Sequence, residues 1–321
     1  MTTARPVRPT DLVALVSFDG KVYPNEAHTW DRLGRNADGP RLLENAFEQW
    51  LSFATGRHTW ISIQGQTIRG VASARPRGSR LAWEIDCLIV AADDSEPVLL
   101  ALLEQLSAAA VRARVLRVFL RAEAGSDVVV AARKAGFAPY VSEKLFRLSA
   151  GLENESIDPM LEVHDRNRAH GFALFRLYNR VTPMEVRQFE AATYAEWIAC
   201  QEKRSQGRSR LDAVAEVGGE AMAWVRSVPD GGIGRIDLLL HADVFLHAGS
   251  LLSLAVTALG DRRPVFCLVP ADAEGLAGLL QARGFEPAAE YLGMVKRLAI
   301  PARQAASVRV PVQTPLATVL F

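Results

Sequence analysis

Ala131-Ala132-Arg133-Lys134-Ala135-Gly136-Phe137-Ala138-Pro139-Tyr140 and Leu280-Gln281-Ala282-Arg283-Gly284-Phe285-Glu286-Pro287 end in the same way, their Gly-Phe pairs 148 positions apart. Each reads as a helix stopped by glycine, which tolerates the left-handed backbone that ends a helix. An aromatic anchor follows in each, then an alternating run that closes as a strand, through Phe146 to Leu148 and over 291–298. A motif of this length occurring twice points to an internal duplication.

Length and order agree with that reading. The chain has 321 residues, enough for two domains of ordinary size. With 49% hydrophobic and 23% charged residues its composition is that of a globular protein. A net charge of +1 gives no global field toward nucleic acid or acidic lipid, and no apolar run approaches a membrane span, so neither partner is expected. The three cysteines, Cys87, Cys200 and Cys267, form no CxxC and read as buried thiols of a cytoplasmic protein.

The first copy, 1–149, opens with a strand at 5–8, a helix start at Pro9-Thr10-Asp11, a surface loop at 19–40 and a helix at 41–53. Strands at 59–63, 68–74 and 81–90 form a meander, followed by a helix at 97–112 and a buried strand at 115–120. Residues 150–165 read as a polar linker. The second copy, 166–300, opens with an apolar strand at 172–178 and a capping box at Thr182-Pro183-Met184-Glu185, starting one helix that runs to Cys200. Strands at 211–217, 221–228 and 235–240 follow, then a helix at 250–259, a strand at 264–269, a helix at 273–283 and the last strand. Gly231-Gly232-Ile233-Gly234 lies between two strands and reads as a hairpin turn, not a nucleotide loop. The apolar tail, 301–321, suits an extra edge strand, a strap or a homodimer contact. His164 and His170 lack metal-ligand spacing, so no metal is expected. Lys203, Arg204, Arg208 and Arg210 read as a charged loop.

This order, strand, two helices, three-strand meander, helix, strand, helix, strand, with Gly-Phe before the last strand, resembles the GNAT acyltransferase superfamily, twice over. The resemblance implies an α/β fold: a tandem duplication of a GNAT-like unit, with a mixed, mainly antiparallel sheet flanked by helices. It also implies acetyl-CoA or another acyl-CoA as co-substrate, its pantetheine arm between two splayed strands and its pyrophosphate on a Gly-rich loop opening the next helix. A small-molecule or peptide amine would be the acceptor. In the first copy the family's loop positions fall at Asp94, Pro97 and Leu99 and none matches, while Asp93, Asp94 and Glu96 oppose a phosphate. In the second copy they fall at Asp243, Leu246 and Ala248, and only Ala248 fits. Ala248, Gly249, Ser250 and His247 are therefore the candidate cofactor-binding residues. For catalysis Glu84 matches the family's carboxylate, with Asp86 on the same face; its counterpart is Arg235, leaving Asp237 as the second copy's base. The family's tyrosine acid would fall at Ala132 and Leu280, so Tyr140 and Tyr291 are candidates by proximity, Tyr291 in the second copy. Two readings stay open: an N-acetyltransferase with at most one working copy, or a non-catalytic binding or assembly protein on the same fold.

Overall fold

The computed structural model describes residues 3–11, 14, 15, 18, 23–34, 56–65, 67–91, 95–152, 155–204 and 209–299. The helix expected at 41–53, Asp93, Asp94, Arg208, the side chains of Lys203 and Arg204, and the tail 301–321 lie outside them.

The first unit contributes β1 (Thr3–Pro6), β2 (His58–Gln64), β3 (Thr67–Arg77), β4 (Ser79–Val90), α1 (Ser95–Arg112), β5 (Arg117–Glu123), α2 (Asp127–Lys134) and β6 (Ala138–Leu148). The second contributes β7 (Glu162–Asp165), α3 (His170–Val181), α4 (Met184–Glu190), α5 (Tyr194–Arg204), β8 (Leu211–Val217), β9 (Glu220–Asp230) and β10 (Ile233–Leu240). It ends with α6 (Ala248–Ala258), β11 (Val265–Pro270), α7 (Glu274–Ala282) and β12 (Glu286–Arg297). All twelve strands lie in one sheet, ordered β1-β2-β3-β4-β5-β12-β6-β11-β10-β9-β8-β7.

The closing strands are exchanged. β12 lies between β5 and β6, and β6 pairs with β11 of the second unit. The Gly-Phe motif shows how. Gly136 and Gly284 take φ of 85° and 79°, the left-handed backbone that ends α2 and α7. Phe137 then drops into the core of its own unit beside Leu102, Leu106 and Val128. Phe285 does the same beside Leu252 and Leu280. Each buried anchor contributes about 1.5–3 kcal/mol by area. Beyond it the strand crosses over: Phe146 and Leu148 of β6 sit in the second core, and Met294 of β12 sits in the first.

Two expectations are corrected by the helical region of the second unit. Residues 172–178 are helix, part of α3, not a strand: Leu174, Leu177 and Tyr178 are buried at helical spacing while Phe172 faces solvent. The single helix expected from Pro183 to Cys200 is two, α4 and α5, and Pro183 caps α4 without a side-chain bond. The box forms one helix later. The Glu196 N–H donates to Thr193 Oγ1, and the Ala192 N–H donates to the Glu196 carboxylate. Gly231-Gly232 is the hairpin turn expected, joining β9 to β10 with Gly231 at φ 59°.

Candidate active site

Two parallel strand pairs open into forks. β4 and β5 pair only at Ala82–Arg117, Trp83–Val118 and Glu84–Phe119. β10 and β11 pair only at Gly234–Val265, Arg235–Phe266 and Ile236–Cys267. Beyond these residues the facing edges separate. Each strand carries a carboxylate just past its last pair, Asp86 two residues beyond Glu84 and Asp237 one residue beyond Ile236.

The first fork is filled by its own chain. The Glu26 N–H donates to the Leu88 carbonyl on β4, and the His28 N–H donates to the Arg121 carbonyl on β5. Asn25 fixes this bridge: its Oδ1 accepts from the Leu88 and Ala27 N–H groups, and its Nδ2 donates to the Asp86 carbonyl. Arg32 donates to the same carbonyl. Ala27 and Thr29 are fully buried, so the expectation of a surface loop is wrong here. A small side chain at position 27 and main-chain partners on both strands let the segment take the place of a missing strand.

Charged groups around the first fork are mutually paired. Asp86 is buried, accepts from Ser73 Oγ at 2.7 Å and forms an ion pair with Arg57. Arg75 bridges Glu84 and Asp31, so Glu84 is held by a cation. Arg121 reaches across Gly293, which opposes it on β12 without a side chain, to Glu143 on β6. Burial, together with the Glu123 and Asp127 charges, pushes the Glu26 carboxyl up. Burial and the Arg121 charge hold His28 down at about 4, its ring 4.7 Å from that of Tyr291.

His28 makes stability pH-dependent. Its folded pKa lies below the unfolded value, so its contribution is whole above about 6.5 and is lost as pH falls toward about 4. Between pH 7 and 5 the loss from this group is on the order of 2 kcal/mol. A His28→Gln chain is expected to lose correspondingly less over that interval in urea titrations. Equal losses in both chains would refute the assignment.

The second fork differs. Among the described residues no backbone hydrogen bond reaches the facing edges of β10 beyond Ile236 or of β11 beyond Cys267. Asp237 lies at the apex, and its Oδ2 accepts from Nε, at 2.9 Å, and Nη2 of Arg226 on β9. Arg226 is fully buried, and its guanidinium carbon lies 5.2 Å from the Trp30 ring and 5.3 Å from the Trp224 ring. Trp30 comes from the first unit. The same segment that fills the first fork continues over the second, where Leu33 accepts from Arg235 Nε and packs with Trp30, Phe266 and Val228.

No family model matches the sequence. No curated protein matches it either. Solved structures do match the fold. A GCN5-related N-acetyltransferase from Sphaerobacter thermophilus superposes with a TM-score of 0.62 at 14% identity, over 94% of this chain and 98% of that one. A tandem GNAT protein from the clavulanic acid biosynthesis pathway superposes with a TM-score of 0.56 at 12% identity, over 94% of this chain and all of its own. The chain has the tandem GNAT fold. These likenesses extend over both units, so the duplication read from the Gly-Phe motifs is a property of the GNAT architecture here.

The resemblance drawn from the sequence expects an acyl-CoA pyrophosphate at the helix that follows a fork, and α6 is the helix that follows the second fork. Ala248, Gly249 and Ser250 form its first turn and are buried, with His247 at the N-cap. Gly249 lies directly under the Arg283 guanidinium, which a Cβ would overlap. Arg283 pairs with Glu155, and His247 Nδ1 lies 2.7 Å from Asp158 Oδ2, so two carboxylates from the 150–165 segment engage Arg283 and the His247 ring at this helix start. Ser250 Oγ and Ser253 Oγ accept from the Asp158 and Glu155 N–H groups. In kind, these residues fit an anion: a helix start, a bare glycine, the Arg283 guanidinium and the His247 ring. The first fork does not fit, because residues 25–28 occupy the gap and Glu26 and Glu123 bring negative charge to it.

The candidates from sequence are thus dispersed. Glu84 lies at the first fork and Asp237 at the second. Strand exchange carries Tyr291 to β12 beside β5, where its buried hydroxyl is pushed up and its ring backs His28 and the Trp30 layer. Asn25, His28, Trp30, Arg226 and Arg283 were missed. Among the described residues no cluster of metal-ligating side chains occurs, and no helix is long and apolar enough to cross a membrane.

Proposed function

We propose that the protein transfers an acyl group, acetyl in the simplest case, from acyl-CoA to an amine, and that only the second fork does so. The observation that carries this is the contrast between the forks: residues 25–28 bond both edges of the first, while among the described residues no backbone group bonds the facing edges of the second. A pantetheine arm has the amide groups to pair with such an edge. Ala248, Gly249, Ser250, His247 and Arg283 would hold the pyrophosphate, exchanging Glu155 and Asp158 for phosphate oxygens. Asp237, paired with Arg226 through Oδ2, receives the acceptor amine through Oδ1.

Calorimetric titration with acetyl-CoA is expected to give one site per chain. Gly249→Val, whose side chain displaces Arg283, is expected to weaken that site by about tenfold, ~1.4 kcal/mol. Two sites per chain, or none up to millimolar ligand, would overturn the proposal.

A further inference from the structure

The Arg226–Asp237 pair is incomplete at both ends, in complementary ways. Arg226 uses Nε and Nη2 on one carboxylate oxygen, while its Nη1, fully buried, has no hydrogen-bond partner among the described residues. Asp237 accepts both bonds on Oδ2, and among the described residues its Oδ1 accepts none. Leaving a donor of a charged group buried and unbonded is unfavourable, and nothing in packing alone requires it. Trp30 and Trp224 lie over the guanidinium, so a partner for Nη1 has to arrive in the guanidinium plane. The chemical group suited to that edge is a carboxylate.

Charge balance narrows the ligand further. Arg226 is matched by Asp237, and Arg235 beside it is matched by Asp230. A simple anion would add an unbalanced charge to a desolvated place. A zwitterion would not: its carboxylate completes Arg226 and its ammonium completes Asp237. We infer that the second fork takes a free α-amino acid, carboxylate on Arg226 Nη1 and amine on Asp237 Oδ1. The inference rests on the acyl-transfer reading and names its acceptor.

The first unit then shapes specificity in the second, since Trp30 is the first unit's contribution to this site. In the reaction the ammonium first gives one proton to solvent by way of Asp237 Oδ1. The amine lone pair forms the new carbon–nitrogen bond, the carbon–sulfur bond breaks, and the second nitrogen proton ends on the departing thiolate. The products are an N-acyl amino acid and free CoA.

Matched acceptors test this without altering the protein: amino acids against the amines left by their decarboxylation, with acetyl-CoA as donor. Amino acids are expected to be preferred by at least ~100-fold in kcat/KM, because the amine leaves a buried donor unbonded. Amines acetylated within threefold of their amino acids, or no amino acid acetylated, would overturn the inference. Acetyl-CoA binding, measured on the same preparation, separates the two failures: binding with indifferent acceptors sinks only the amino-acid assignment. Thermal melts read the site independently of acetyl-CoA. A free amino acid is expected to raise Tm where its decarboxylated amine does not, and equal shifts would count against the assignment. Arg226→Gln, checked for native circular dichroism, is expected to abolish the discrimination; a folded Arg226→Gln chain that retains it would overturn the role given to Arg226.

Discussion

Asn25→Leu is expected to destabilise the protein by about 3 kcal/mol or more, a large effect for one residue outside any regular element. The side chain makes three bonds, to the Leu88 N–H at 2.8 Å, to the Ala27 N–H at 3.1 Å and to the Asp86 carbonyl at 3.2 Å. Leucine matches the volume but leaves all three main-chain groups without that partner, each at about 1 kcal/mol or more. Asn25→Asp keeps both accepting bonds and loses the donor, so about a third of the loss is expected. Urea unfolding curves at pH 7 check both values, and a loss below about 1 kcal/mol for Asn25→Leu would show that the bridge is held by other contacts. Acetyl-CoA affinity at the second fork should not change, because Asn25 touches only the first. A second acetyl-CoA site appearing in Asn25→Leu would mean that the first fork is a competent groove closed by its own chain.

How much of this was legible in the sequence depends on what each feature needs for its definition. The helix stops at Gly136 and Gly284 and the anchors Phe137 and Phe285 are local, and they marked both units. The exchange of β6 and β12 is not local. Alternation says that a strand has two faces, not which neighbour it takes, and the two units offer similar edges. Residues 172–178 were misread because a short apolar run fits either period; only the exposure of Phe172 beside buried Leu174 and Tyr178 separates them. Residues 23–34 carry the turn formers of a surface loop, and their partners lie some sixty and more positions away, as with Asn25 and Asp86. Arg226 was within reach. A two-residue turn at Gly231-Gly232 fixes the register of β9 and β10, which sets Arg226 directly opposite Asp237. Reading that register would have shown that the candidate base carries a guanidinium.

Arg226→Met is expected to cost about 3–5 kcal/mol, since it strands the Asp237 carboxylate at the apex of the second fork without its cation. Asp237→Leu should cost a similar amount by stranding a fully buried guanidinium near the Trp30 and Trp224 rings. The double replacement is expected to be less destabilised than either single one, because no uncompensated charge remains; additive losses would show that the two side chains act independently. Stability alone would not distinguish a structural pair from a working one, and the duplication supplies the control. Asp86 is the carboxylate just past the first unit's fork, buried and paired with Arg57 and Ser73, where its own chain fills the gap. Asp86→Asn and Asp237→Asn both keep shape and lose charge, so both should lower stability. Only Asp237→Asn should also lower kcat/KM for acyl transfer, and in chains compared at equal folded fraction. Unchanged turnover in both would mean that the second fork owes nothing to its carboxylate, and equal loss in both would mean that the effect is not particular to the second fork.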